Sequence, residues 1–318
     1  MNIVVLDGYT LNPGDLSWEE FRSLGKLTIY DRTAPEEIAA RSQGADVLLT
    51  NKTPLTAETI RELPELKYIG VLATGYNIVD MAAASAQGIV VTNVPDYSTQ
   101  SVVQLVFALL LQHCSHVSEH NEAVHEGRWS AAQDFMFTLQ PLMELAGKTM
   151  GIIGFGGIGQ GVARAAAAFG MKICVYTRTP RNVPGLEYVQ FVAADELFTT
   201  ADVVTLHCPL TTETAGIVNS RTLGLMKSSA YLINTARGGH IIEQDLADAL
   251  HAGRIAGAAL DVLAVEPPPR DHPLLGVRNC YITPHIAWAT VEARSRLMQI
   301  AAGSLQSFQK GQIVNQVN

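Results

Sequence analysis

The sequence predicts an α/β protein made of two doubly wound parallel-sheet domains. Three observations carry that expectation. Apolar runs alternate with helix-patterned stretches along most of the chain. The runs are apolar throughout rather than alternating with polar residues, as strands buried on both faces are. The βα alternation comes in two series, separated by one long apolar helical segment. At 318 residues, 47% hydrophobic and 16% charged, the chain is long enough to bury a core in each of two domains.

The first series contains IVVLD (3–7), LTIYD (27–31), DVLLTN (46–51), YIGVLA (68–73) and GIVVTN (88–93). Helical pieces lie between them. SWEEFRSLG offers Ser17 and Glu20 in a capping-box pattern, and PEEIAARSQG has Pro at its start and Gly at its end. After the punctuation of Pro95, a long helix begins near Ser98, and its apolar residues cover most of its circumference, so it should be buried. The second series starts after Gly147 with MGIIG, KICVY, DVVTLHC, AYLINTA, AGAALDV and CYITP. A last helix from about Thr290 to Gln309 follows the final strand, and returning to the first domain would make that domain discontinuous.

Within the second series, Gly154-x-Gly156-x-x-Gly159 follows the apolar strand TMGIIG and opens the helix GQGVARAAAAFG. That context marks a dinucleotide-binding Rossmann loop: the first glycine permits the turn, the second lets backbone approach a pyrophosphate, and the third lets helix and strand pack closely. The helix start then offers unpaired N–H groups to phosphate. An acid expected about 20 residues further on, to hold the adenosine ribose, is missing. Thr177 stands there, followed by Arg178 and, after Thr179 and Pro180, Arg181.

Composition excludes several partners. A net charge of -8 provides no broad basic field for nucleic acid or anionic lipid, which leaves a small substrate held by a few arginines. Cys114, Cys174, Cys208 and Cys280 are scattered and lack CxxC spacing, which reads as reduced core cysteines in a cytoplasmic protein with no metal site. No apolar run approaches the roughly 20 residues that span a bilayer, and no basic leader precedes IVVLD, so no membrane association is expected.

Three segments place ionisable groups just after strands, where a doubly wound sheet puts its ligands: INTARGG with Arg237, LDVLAVEPPP with Asp261 and Glu266, and TPHIAWAT with His285. Singly, each has an ordinary reading: a surface arginine, a loop acid before prolines, a residue at a helix start. Together, beside a dinucleotide loop, an Arg, an acid and a His are what binding and protonating a keto acid requires.

These segments, with VLATGYNIVD (71–80), NVPDYSTQSVVQLVFALLL (93–111), LAGKTMGIIGFGGIG (145–159) and HCPLTTETAGIVN (207–219), resemble the D-isomer-specific 2-hydroxyacid dehydrogenases over nearly the whole chain. The resemblance implies a flavodoxin-like substrate domain, residues 1–98 plus 286–318, with a Rossmann cofactor domain, 99–285, inserted in it. It also implies a homodimer built largely through the cofactor domains. By position it makes His285 the general acid/base, Glu266 its partner and Arg237 the substrate arginine. It makes Asp261 a nicotinamide contact, and the backbone of Ala73, Thr74 and Gly75 the holder of the substrate carboxylate. Gly157 and Ile158 of the glycine loop, Cys208 and Pro209 of HCPL, and Thr235 and Ala236 of INTARGG would join Gly154, Gly156 and Gly159 around the cofactor. HIAWAT (285–290) and TNKTPLTAETI (50–60) resemble the glycerate dehydrogenase, or hydroxypyruvate reductase, branch, and Trp288 would wall a small pocket.

The implied activity is reduction of hydroxypyruvate or glyoxylate with a nicotinamide. Thr177 does not repel a 2′-phosphate, and Arg178 and Arg181 suit one, which favours NADP over NAD. The alternatives are a dehydrogenase for another 2-hydroxy acid and a non-catalytic dinucleotide-sensing corepressor of the same fold.

Overall fold

The computed structural model covers residues 1–318, and its contacts divide the chain into two units, Met1–Ser98 with Trp288–Asn318, and Thr99–Ala287. In the first, the apolar runs become β1 (Asn2–Val5), β2 (Lys26–Ile29), β3 (Val47–Thr50), β4 (Tyr68–Val71) and β5 (Val90–Thr92). All pair in parallel, in the order β2-β1-β3-β4-β5, the flavodoxin-like winding. Every residue of β3 and β4 is buried, which is why their sequences are apolar without alternation. The crossovers run through α1 (Glu19–Arg22), α2 (Ile38–Ser42), α3 (Ala57–Arg61) and α4 (Met81–Ala86). Thr56 caps α3 and Asp80 caps α4.

The capping box expected from Ser17 and Glu20 does not form. Trp18 takes the N-cap position, and Ser17 Oγ accepts from Glu19 N–H at 3.2 Å instead. Trp18 packs into the core of this unit against Phe21, with ring centroids 5.6 Å apart, and that burial sets where the turn begins.

The second unit opens with α5 (Thr99–Ser115), which ends where His116 turns left-handed at φ 48°, and α6 (Val117–His125) resumes at an angle of 55°. The long helix read from sequence is therefore two. Its circumference is also less covered than expected: Val102, Val106, Phe107, Leu109 and Leu110 are buried, whereas Gln104, Ala108 and Leu111 are exposed. No single helix of the chain is long and apolar enough to cross a membrane.

The second βα series gives β6 (Thr149–Ile153), α7 (Gly157–Ala168), β7 (Lys172–Tyr176), β8 (Gln190–Phe191), α8 (Ala194–Thr200), β9 (Val203–Leu206), α9 (Ser220–Leu225), β10 (Tyr231–Asn234), α10 (Glu243–His251), β11 (Gly257–Leu260) and β12 (Cys280–Ile282). Only β8, two residues long, has no counterpart among the apolar runs. The parallel sheet has the order β12-β11-β10-β9-β6-β7-β8, so the winding reverses between β6 and β9, the switch point at whose carboxyl end such sheets bind ligands.

The chain then returns to the first unit as α11 (Val291–Gln309), capped by Thr290, whose Oγ1 accepts from Ala293 N–H at 3.3 Å. Ala293, Leu297, Ala301 and Leu305, four residues apart, face the core of that unit. From the same helix the buried Arg294 forms a two-pronged pair with Asp15, at 2.8 and 2.6 Å.

Candidate active site

The glycine loop sits on that switch point. Gly154 has φ +96°, a conformation that favours glycine, and a Cβ there would lie 2.6 Å from Cys208 N. The turn after β6 therefore lies directly on the end of β9. Gly159 is as confined, since its Cβ would meet Gly154 O at 2.2 Å. Gly156 is the opposite case: nothing lies within 4 Å of where its Cβ would be. It is also the N-cap of α7, without a side-chain cap and with no acid in the helix's first turn. An open approach to uncapped helix amides fits a bound diphosphate. Gly157 and Ile158 continue this first turn.

The remaining strand ends of the unit connect to the loop in sequence. Cys208 Sγ lies 3.5 Å from His240 Nε2, in the turn after β10. Burial raises the Cys208 thiol to about 11, so it serves as packing rather than as a nucleophile. Pro209 follows it and accepts at its carbonyl from Thr214 Oγ1 at 2.7 Å. After β10, Thr235 Oγ1 is buried with no hydrogen-bond partner, an orphan that a bound group would satisfy, and Ala236 N–H donates to Asn234 Oδ1 at 3.0 Å. Gly238 lies against the Leu263–Ala264 peptide beyond β11.

From that segment Glu266 reaches the end of β12, where its Oε2 lies 2.6 Å from His285 Nδ1. Glu266 Oε1 accepts from Leu263 N–H at 3.0 Å. His285 is left-handed at φ 55°, and its N–H donates to the carbonyl of Asp261 at 2.8 Å. The buried Asp261 carboxylate organises the rest of the turn: Oδ1 accepts from Thr283 Oγ1 at 2.6 Å and Ile286 N–H at 2.9 Å, and Oδ2 from Ala287 N–H at 2.8 Å. Burial pushes its carboxyl above the usual range despite these bonds. The structure thus brings Glu266, Asp261 and His285 together. Arg237, after β10, is exposed, and its Nη1 donates to Ala236 O at 2.7 Å rather than to either member of the pair.

Three histidines lie at these strand ends, and their surroundings separate them. His207 is pushed down to about 3 and its Nε2 lies 2.8 Å from Thr205 Oγ1; His240 is fully buried and lowered as well. His285 keeps a side chain 26% exposed, with Nε2 not committed to Glu266.

Sequence reasoning passes over a second acid–histidine pair. Glu243 Oε2 lies 3.1 Å from His272 Nε2, and Glu243 Oε1 accepts from Ala264 N–H at 2.8 Å. The two residues are 29 positions apart, and each alone reads as a helix-start acid or a loop histidine.

Thr177 is half-buried just beyond β7, with Arg178 and Arg181 exposed after it. The Glu213 carboxyl, in the loop after β9, is held below its usual range by the Thr211 hydroxyl first, and Arg178 is among the weaker contributors. In the first unit, Ala73, Thr74 and Gly75 follow β4. The carbonyl of Ala73 accepts from Val94 N–H at 3.0 Å, and Thr74 Oγ1 donates to Val94 O at 2.8 Å. Trp288 is half-buried in the same unit, edge-on to Tyr97 at 6.3 Å.

Residues 107–287 match the family described as D-isomer specific 2-hydroxyacid dehydrogenase, NAD binding domain. The chain is 50% identical to a hydroxypyruvate reductase of Blautia hydrogenotrophica over 321 residues, covering 100% of both chains. It is 39% identical to a glycerate dehydrogenase of Methylorubrum extorquens over 319 residues, covering 99% of this chain and 98% of that one. Among solved structures it is similar to an acyclic imino acid reductase in complex with NADPH and D-Arg, with a TM-score of 0.88, 33% identity and 100% of both chains covered.

Proposed function

Since the chain belongs to the D-isomer specific 2-hydroxyacid dehydrogenase family, with a nicotinamide dinucleotide as its cofactor, we propose that it reduces hydroxypyruvate, and glyoxylate as a second substrate, to the D-2-hydroxy acid. The observation that carries the reaction is the His285–Glu266 contact at the end of β12, in the sheet whose β6 carries the glycine loop. The choice of substrate follows the whole-length identity to a hydroxypyruvate reductase.

In this reading Thr99–Ala287 is the cofactor unit and Met1–Ser98 with Trp288–Asn318 the substrate unit. The α7 amides and the open side of Gly156 hold the diphosphate. Cys208, Pro209, Thr235, Ala236 and Asp261 line the nicotinamide half. A reduced nicotinamide, when bound, supplies a hydride to the keto carbon. Arg237 presents its fork to the substrate carboxylate, which suits two parallel charge-assisted bonds, and the backbone of Ala73–Gly75 offers N–H groups suited to a carboxylate. Trp288 limits the size of the substrate. His285 donates from Nε2 to the keto oxygen as it becomes a hydroxyl. Glu266, accepting from Nδ1–H, fixes the orientation of the ring and leaves Nε2 for the substrate. In the reverse direction the neutral ring takes the proton back.

Cofactor preference rests on the β7 end. A carboxylate there would accept from a ribose 2′-OH and repel a 2′-phosphate; Thr177 does not repel one, and Arg178 and Arg181 favour it, so NADPH is the preferred reductant. A homodimer is supported by Trp129, Phe135, Met136 and Leu142, 53%, 89%, 52% and 57% exposed, a concentration of apolar side chains that a second copy would cover. Four free cysteines fit a cytoplasmic setting.

A panel of 2-keto acids, alone and with added amines, assayed with NADPH and NADH tests the reading. Hydroxypyruvate with NADPH should have the highest kcat/KM. Turnover only of an imine would move the enzyme toward the imino acid reductases, and tight cofactor binding without any turnover would favour a dinucleotide-sensing protein.

A further inference from the structure

Acids in the first turn of a helix ordinarily serve that helix's own amides and dipole. Glu243 directs its hydrogen bonds elsewhere. The N-cap of α10, Ile242, has no side-chain cap, and both Glu243 oxygens leave the helix, one for Ala264 N–H and one for His272 Nε2. His272 is 6% exposed, and its Nδ1 accepts from Leu274 N–H at 3.3 Å. Its proton therefore sits on Nε2, toward Glu243, and both ring nitrogens are committed inside the protein.

The amide next to Ala264 is Leu263, whose N–H donates to Glu266 Oε1. Two adjacent amides are thus divided between two carboxylates, one 16% exposed and clamped, the other 36% exposed and holding His285. From another side, the Gly238 backbone lies so close to this peptide that a Cβ at Gly238 would come within 1.9 Å of Leu263 C. Two residues earlier, Asp261 N–H is fixed to Asn234 O at 2.9 Å. Glu266 and Asp261 are charged groups close to His285, and both depend on this short segment.

We propose that Glu243, clamped by His272, is a positioning residue for the reaction: by fixing the Ala264 amide it holds the Leu263 N–H that ties down Glu266 Oε1 and leaves Oε2 for His285. This rests on the roles proposed for Glu266 and His285. A hydrogen-bonded pair so placed costs nothing to rearrange at the moment of proton transfer, whereas a half-exposed glutamate on an untied loop would sample other rotamers.

The test uses the full chain in four variants, Glu243→Ala, His272→Ala, His272→Gln and Glu266→Gln. Steady-state kcat and KM for hydroxypyruvate, cofactor affinity by titration, and the low-field proton resonance of His285 Nδ1–H, identified by its loss in Glu266→Gln, are measured in each. In folded Glu243→Ala, kcat should fall about 10- to 100-fold, the scale of a small misplacement of a catalytic group. The resonance should shift or vanish, while cofactor affinity and KM stay near wild type. His272→Ala should move the same quantities in the same direction. His272→Gln, which keeps one donor and one acceptor, should recover most of that loss. Wild-type kcat and an unmoved resonance in folded Glu243→Ala would overturn the proposal, as would a parallel loss of cofactor affinity, KM and kcat. Should Glu243→Ala fail to fold, wild-type kcat in His272→Ala overturns it equally. A Glu266→Gln enzyme with wild-type kcat would remove the role of the pair itself, a failure distinct from a silent Glu243 variant beside an impaired Glu266 one.

Discussion

His285 Nδ1 stands 2.6 Å from Glu266 Oε2, while the other oxygen of that carboxylate is held at 3.0 Å by Leu263 N–H. The carboxylate is therefore held from both sides, and Nε2 is the ring nitrogen not engaged by Glu266. Glu266→Gln retains the shape and removes the charge. A charge-assisted bond exceeds a neutral one by enough that kcat for reduction should drop about 10- to 100-fold. Cofactor affinity, measured by titration, should not change. Near wild-type kcat would make Glu266 structural only.

Arg237 extends into solvent from the end of β10, with Nη1 already directed at its neighbour's carbonyl. Its remaining donors form the fork proposed for the substrate carboxylate. Arg237→Lys offers a single ammonium, so KM for hydroxypyruvate should rise about 10-fold or more with an unchanged fold by circular dichroism. An unchanged KM would take the carboxylate away from Arg237.

Thr177→Asp restores at the end of β7 the acid that reads a ribose 2′-OH. The ratio of kcat/KM with NADPH to that with NADH should fall roughly 10- to 100-fold, the loss of one or two charge-assisted bonds plus new repulsion. A wild type that already prefers NADH, or an Asp variant with no change of ratio, would remove the 2′-phosphate from this loop.

The Arg294–Asp15 pair belongs to the first unit alone. The Arg294 side chain is 7% exposed, and its hydrogen bonds hold the Asp15 carboxyl below its ordinary value of 3.8. An acid lowered in the folded state contributes stability that is present above its unfolded value and is lost as pH falls through its folded one. Asp15→Asn should therefore lower Tm at neutral pH. The gap should close as wild type is acidified below 3.8. A gap that widens on acidification would contradict this role.

Much of the fold was legible because burial on both faces writes itself into composition. β3, β4, β9, β10 and β11 are fully buried and appear as uninterrupted apolar runs, and Thr290 announces α11 as an N-cap does. The break at His116 was not legible, since the residues on either side continue to read as helix and no glycine marks the left-handed turn. Ser17 misled for a similar reason: a local capping pattern yielded to the burial of Trp18. In the site, the glycine loop declares itself by spacing. Glu266 and His285 each follow an apolar strand, but only the resemblance to a family paired them. Glu243 and His272 carry no local signal, because what unites them is a pair of adjacent amides elsewhere in the chain.

In the proposed reaction His285 delivers the proton when hydroxypyruvate is reduced. Single-turnover reduction of hydroxypyruvate by His285→Ala, with cofactor affinity measured on the same preparation, tests it most directly. General acid catalysis contributes about 10²- to 10⁴-fold, so the rate should fall by that factor while the cofactor binds as in wild type. A folded His285→Ala enzyme that reduces hydroxypyruvate at the wild-type rate would contradict the account.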